Sequence, residues 1–230
     1  MTIAVSVCLL LLFAAAAALC CGREVAVRSQ HLSAGGEETG QALPPKAEKV
    51  DRFSALLCGG ICLVGGGGLL LLQLLFYQRP LLYSLQMLFC FDYLAVAALV
   101  DKKFQVIPNS LVLGGCVGAA GFFAAQVLMS APPVPLLKEL LLGLAMGGGV
   151  FLICALLTKG GIGMGDVKLF GVLGMVLGWT GVFDLIFLSV LLVAVYGIVL
   201  LLRRQLNRKS QVPIGPFAFT AMVLMMLLGV

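Results

Sequence analysis

Thr158–Phe170 reads TKGGIGMGDVKLF and separates two long apolar runs. It places Asp166 directly behind three alternating glycines, Gly161, Gly163 and Gly165, and the sequence becomes apolar again within a few residues. A carboxylate at the border of a bilayer is costly to keep, so its presence on such a pliant backbone points to function.

The flanking sequence explains why a bilayer is invoked. Of the 230 residues, 61% are apolar and only 11% charged, and the mean hydropathy is +1.13. A soluble domain carries about 25% charged residues. Runs such as Ile61–Leu75 and Val182–Leu202 could not be covered by the polar residues available. The expected fold is therefore all-α, a polytopic membrane helix bundle of about eight transmembrane helices. The eight cysteines lie nearly all inside apolar runs, form no CxxC pair and have a single histidine, His31, to accompany them. That pattern excludes a zinc site and reads as small residues facing lipid or other helices. No metal or cofactor is expected.

In chain order, residues 1–21 read as a first transmembrane helix, and residues 22–52 as a polar loop with five basic and five acidic residues. Residues 53–230 read as the membrane-embedded domain. Within it the expected spans are Phe53–Tyr77, Leu81–Val100, Ser110–Met129, Leu136–Leu157, a short Val167–Gly178, Val182–Leu202 and a last span ending at Val230. Pro132, Pro133 and Pro135 are expected to turn the chain before the fifth span. The sixth is the anomaly. Twelve helical residues reach about 18 Å, well short of a hydrocarbon core of about 30 Å. It either begins inside the glycines or does not cross alone.

Alternate loops can be compared by their basic residues. One set holds 13 of the 15 lysines and arginines, leaving only Arg79 and Lys138 on the other side. The asymmetry supports eight crossings with both termini outside, and it puts Asp101 and Asp166 on the same, cytoplasmic, face. The net charge of +5 thus reports orientation in a lipid bilayer, and no nucleic-acid partner is expected.

Beyond the first loop and Glu139, the acidic residues are Asp92, Asp101, Asp166 and Asp184. Asp184 falls near the outer face and is expected to be solvated. Asp92 lies nine residues before Asp101, about 13 Å along one helix, and reads as a hydrogen-bonded intramembrane group. Asp101 and Asp166 both fall at cytoplasmic helix ends beside irregular backbone. Two carboxylates brought together share a proton, so one can deprotonate water while the other protonates or polarises a carbonyl. That is the chemistry of peptide hydrolysis. The bland alternative, that both merely mark membrane borders, stays open on the residues alone.

The stretch Gly163–Leu169, GMGDVKL, resembles the signature of the type IV prepilin peptidases, membrane aspartic proteases of the GxGD class. Asp101 with Ile107, Pro108 and Asn109 resembles that family's first catalytic motif, and Val212–Phe217, VPIGPF, its third recurrent segment. The resemblance implies Asp101 and Asp166 as the catalytic pair, with Gly163, Gly165, Lys168, Pro108 and Asn109 in the supporting motifs and the two glycines bending the backbone to aim Asp166. It further implies a prepilin or pseudopilin substrate cut at the cytoplasmic face of the bacterial plasma membrane. Helix polarity adds a role split: Asp101 at a helix C-terminus as the acid, Asp166 at a helix N-terminus as the base. Longer members carry a zinc-binding CxxC domain where this chain has Gly22–Arg52. N-methylation of the new N-terminus, the family's second activity, is not assigned.

Three rivals make distinct demands. A transporter with an aspartate relay needs mid-membrane aspartates and an internal repeat, and no repeat is visible. Among other GxGD proteases, a presenilin-type enzyme would show Tyr-Asp and PAL where this chain has Val100-Asp101 and VPIGPF; an archaeal preflagellin-type enzyme stays as an alternative. A phosphate cradle would need GxGxxG or GxxxxGK[ST], and neither is present.

Overall fold

A computed structural model describes residues 60, 62–104, 107–129, 131–157, 163–202 and 214–229. The expected first helix, the polar loop and the basic loop 203–209 lie outside the described residues. A π-helical turn, Cys62–Gly66, runs into α1, Gly67–Leu75; α2 is Leu81–Phe104, α3 Asn109–Leu128, α4 Pro133–Leu157, α5 Met164–Leu202 and α6 Gly215–Leu228. Helices α2 to α5 are long and apolar enough to cross a membrane, and α1 and α6 are shorter apolar helices. The protein is an all-helical, multi-pass membrane protein.

Pro133 and Pro135 do not form the turn expected from sequence but sit in the first turn of α4. There the missing N–H groups have no intrahelical partner to lose. Helix α2 is the centre of the bundle: Leu88, Cys90, Leu94 and Ala97 have no exposed surface. Gly65 and Gly66 lie against it, with Phe91 and Leu88 occupying the space a β-carbon would need.

The sixth and seventh expected spans meet in α5, which is not straight. Gly178 breaks it with φ 73° and ψ −178°, a backbone conformation suited to glycine. Gly147 of α4 shows the consequence. A β-carbon there would run into the Phe170 carbonyl oxygen and stand 3.1 Å from Val182 Cγ2. On a straight helix Phe170 and Val182 would be about 18 Å apart. Gly143 likewise faces both Gly174 and Gly178. The chain therefore doubles back at Gly178, and both arms pack on α4. The first arm begins at Met164, three residues before the expected start and inside the glycine stretch.

This hairpin sets the levels of the bundle. At the end opposite Asp101, Tyr77 donates to the Leu227 carbonyl at 2.7 Å and Arg79 to that of Gly229. Trp179, half exposed just past the reversal, joins Tyr77 and Tyr83 at that end, as in the aromatic belt at a membrane–water boundary. Backbone contact between α4 and α5 leaves no space for side chains. Gly174→Ala would press a methyl into the Gly143 carbonyl, whereas Gly197 has nothing within 4 Å. In thermal unfolding in detergent, Gly174→Ala is expected to lose about 1–3 kcal/mol and Gly197→Ala to be neutral. Equal stability of the two variants would contradict the packing.

Candidate active site

Asp101 lies in the last turn of α2 and is only 7% exposed. Its Oδ2 accepts the backbone N–H of Gly215 at 3.1 Å. Gly215 opens α6, with Pro216 beside it in the first turn. A β-carbon at 215 would lie 2.8 Å from Oδ2 and 3.3 Å from the Ala98 Cα, so only glycine lets the amide come this close. Sequence alone marks VPIGPF as a recurrent segment and assigns it no role. The Gly215 amide gives it one, and the signal for it is a glycine beside a proline at a helix start.

Asp166 occupies the third position of the first arm of α5. Its N–H donates to the Gly163 carbonyl at 3.0 Å, and the Gly163 backbone hydrogen-bonds its carboxylate. This is the carboxylate half of a capping box, in which an acidic side chain reaches back to the cap residue. Gly165 acts differently, since a β-carbon there would meet Ile107 Cβ at 3.1 Å. Neither glycine has the positive φ expected of a bend; among the described residues only Gly178 and Gly229 of the glycines do. Gly163 caps and Gly165 clears space. Both roles are packing and hydrogen-bonding ones, additional to the bend expected from sequence.

The remaining motif residues join the two halves. Pro108 is the extended residue before α3 (φ −71°, ψ 145°), and Asn109 is the first residue of that helix. Lys168 Nζ donates to Asn109 Oδ1 at 2.9 Å. The Asp101 and Asp166 segments are thus tied by Ile107 against Gly165 and by Lys168 to Asn109, and the two carboxylates lie within electrostatic range of each other. The expected role split loses its basis. Asp101 near the end of α2 also faces the N-terminus of α6, so both carboxylates meet a positive helix end. Asp92 is buried elsewhere on α2. Asp184, placed at the outer face by sequence, is half-buried on the second arm, within electrostatic range of Tyr83.

Comparison with known proteins bears on this geometry. Residues 87–198 match the model of the type IV leader peptidase family, a stretch that includes both aspartates. Just under half of the chain thus resembles a type IV leader peptidase domain. It is 35% identical over 136 residues to the prepilin leader peptidase/N-methyltransferase of Bacillus subtilis (strain 168), covering 59% of this chain and 52% of that protein. It is 32% identical over 139 residues to the protein of that name from Burkholderia pseudomallei (strain 1026b), covering 56% of this chain and 41% of the relative. The aligned part therefore spans about half the length of these curated relatives or less. No solved structure gives a significant match.

If Lys168 and Asn109 hold the two aspartate segments in register, their effects on activity will be coupled. A double-mutant cycle with Lys168→Ala and Asn109→Ala is expected to give about 1 kcal/mol of coupling. Additive losses would mean that the bond holds nothing the reaction uses.

Proposed function

We propose that this chain is an aspartic endopeptidase that removes the leader peptide of type IV prepilin-like proteins. It would work at the cytoplasmic face of a bacterial plasma membrane, with Asp101 and Asp166 as the catalytic pair. The observation that carries this reading is the convergence of two aspartates, each beside the N-terminus of a short apolar helix. The names of the relatives supply the substrate class.

The depth of the site favours hydrolysis. The first arm of α5 has 14 residues before Gly178, and α6 has 14 in all. Each reaches about 21 Å, less than the roughly 30 Å of hydrocarbon. Both start beside the aspartates and run to the opposite end. The carboxylates thus lie in a recess rather than at full membrane height. Asp166, Met164 and Gly163 keep exposed surface there, so water has a path to the pair.

In the proposed reaction a water sits between the carboxylates. The ionised aspartate takes one of its protons as the oxygen attacks the scissile carbonyl, and the protonated aspartate gives its proton to the carbonyl oxygen. The resulting gem-diol collapses: the C–N bond breaks, one hydroxyl proton returns to a carboxylate, and the other aspartate's proton passes to the leaving amine. The pair ends with the single shared proton it began with. Either residue can start as the base, because coupled carboxylates titrate together. Lys168, Asn109 and Pro108 position the pair, and neither metal nor cofactor enters the scheme. A proton relay through Asp92 has less support, since that residue is about 13 Å from Asp101 along α2.

Asp101→Asn and Asp166→Asn are expected each to reduce cleavage of a prepilin-like substrate in membranes by at least about 100-fold, with protein abundance unchanged. Cleavage retained by either variant would end this reading.

A further inference from the structure

A second site lies at the opposite end of the bundle. Between the start of α2, the end of α3, the start of α4 and the Gly178 reversal there is a cavity of about 460 Å³. That is within the range of small-molecule sites, about 300–1,000 Å³. It shares no residue with the aspartate motifs. Its lining is largely apolar, including Met87, Phe122, Leu140 and Val176, whereas Gln86, Gln126, Glu139 and Thr180 bring polar groups into it.

We propose that this cavity binds the headgroup and upper acyl segment of a phospholipid with a primary ammonium group. Three observations lead there. The site opens at the level of the aromatic belt, where headgroups meet hydrocarbon. Its charges are paired as a zwitterion requires: Glu139 is the only charged residue in the lining. Arg79, which also donates to the Gly229 carbonyl, lies 5.3 Å over the ring of Tyr83, which itself lines the cavity. The amides can donate to phosphate oxygens; Gln86 commits one N–H to the Val176 carbonyl at 3.4 Å and keeps a second. An ammonium with three N–H donors satisfies the Glu139 carboxylate, while a quaternary amine offers it no hydrogen bond and a glycerol headgroup no charge. The wall from Met175 to Gly178 ends the arm that carries Asp166, so an occupied cavity braces the far end of that arm.

The test uses the full-length chain in detergent, with phosphatidylethanolamine, phosphatidylcholine or phosphatidylglycerol added back. Retained lipid is read by native mass spectrometry and stability by melting temperature. Phosphatidylethanolamine is expected to be retained preferentially and to raise the melting temperature by about 5 °C at saturation. Glu139 is exposed, so Glu139→Gln and Glu139→Lys should fold. The first is expected to erase the preference and the second to shift it toward phosphatidylglycerol. Equal retention of the three lipids by the wild type, no retention at all, or a preference that survives Glu139→Gln would overturn the proposal. None of these outcomes bears on the aspartate pair, since no cleavage is measured.

Discussion

The reversal at Gly178 is the constraint on which the rest of the bundle depends. One residue with φ 73° sends the chain back along α4, and glycines on both helices bring the backbones into contact. A side chain at 143, 147 or 174 would push the arms apart, and a right-handed residue at 178 would let α5 run straight. Either change would move Asp166, because its depth is set from that turn. Its twelve residues to Gly178 correspond to about 18 Å, so the short arm fixes the carboxylate's distance from the reversal. Helix α6, equally short and anchored at its far end by Tyr77 and Arg79, does the same for Gly215.

Two buried or half-buried carboxylates at this depth need compensation. A hydrogen bond to a charged group contributes about 1.5–3 kcal/mol, and a helix N-terminus about 0.3–2 kcal/mol. Each aspartate has one of each: Gly215 and α6 for Asp101, Gly163 and the first arm of α5 for Asp166. The pair can therefore be held in place without a metal ion or a full counter-charge, while remaining close enough to interact. The basic residue of the motif, Lys168, is engaged by Asn109 instead.

Much of this is legible in the sequence, because hydropathy and glycine placement are local signals. Apolar length gives α2 to α5 within a few residues of their observed ends, and the shortness of Val167–Gly178 raises the possibility of an earlier start, which the structure bears out. The two aspartates stand out by their positions at helix borders, and their motifs by a family resemblance that the leader peptidase match bears out. Tertiary facts are harder to see. Nothing in VPIGPF says that Gly215 will donate to a residue 114 positions earlier. The glycines of GMGD suggest a flexible bend, yet one serves as a cap and the other makes room for Ile107. The role split is incomplete for a similar reason. It considers only the helices that carry the aspartates, not the third one aimed at Asp101. The prolines before α4 suggest a turn, although the first turn of a helix accommodates them equally well.

The central claim is that Asp101 and Asp166 together activate a water that attacks the peptide directly. A single-turnover cleavage in ¹⁸O-labelled water, quenched at successive times, tests it most directly when both the released leader and the intact enzyme are weighed. The leader's new carboxyl should carry one ¹⁸O, and the enzyme mass should stay constant throughout the turnover. An enzyme species bearing the leader, or ¹⁸O appearing in an enzyme carboxylate, would show a covalent intermediate and contradict the account.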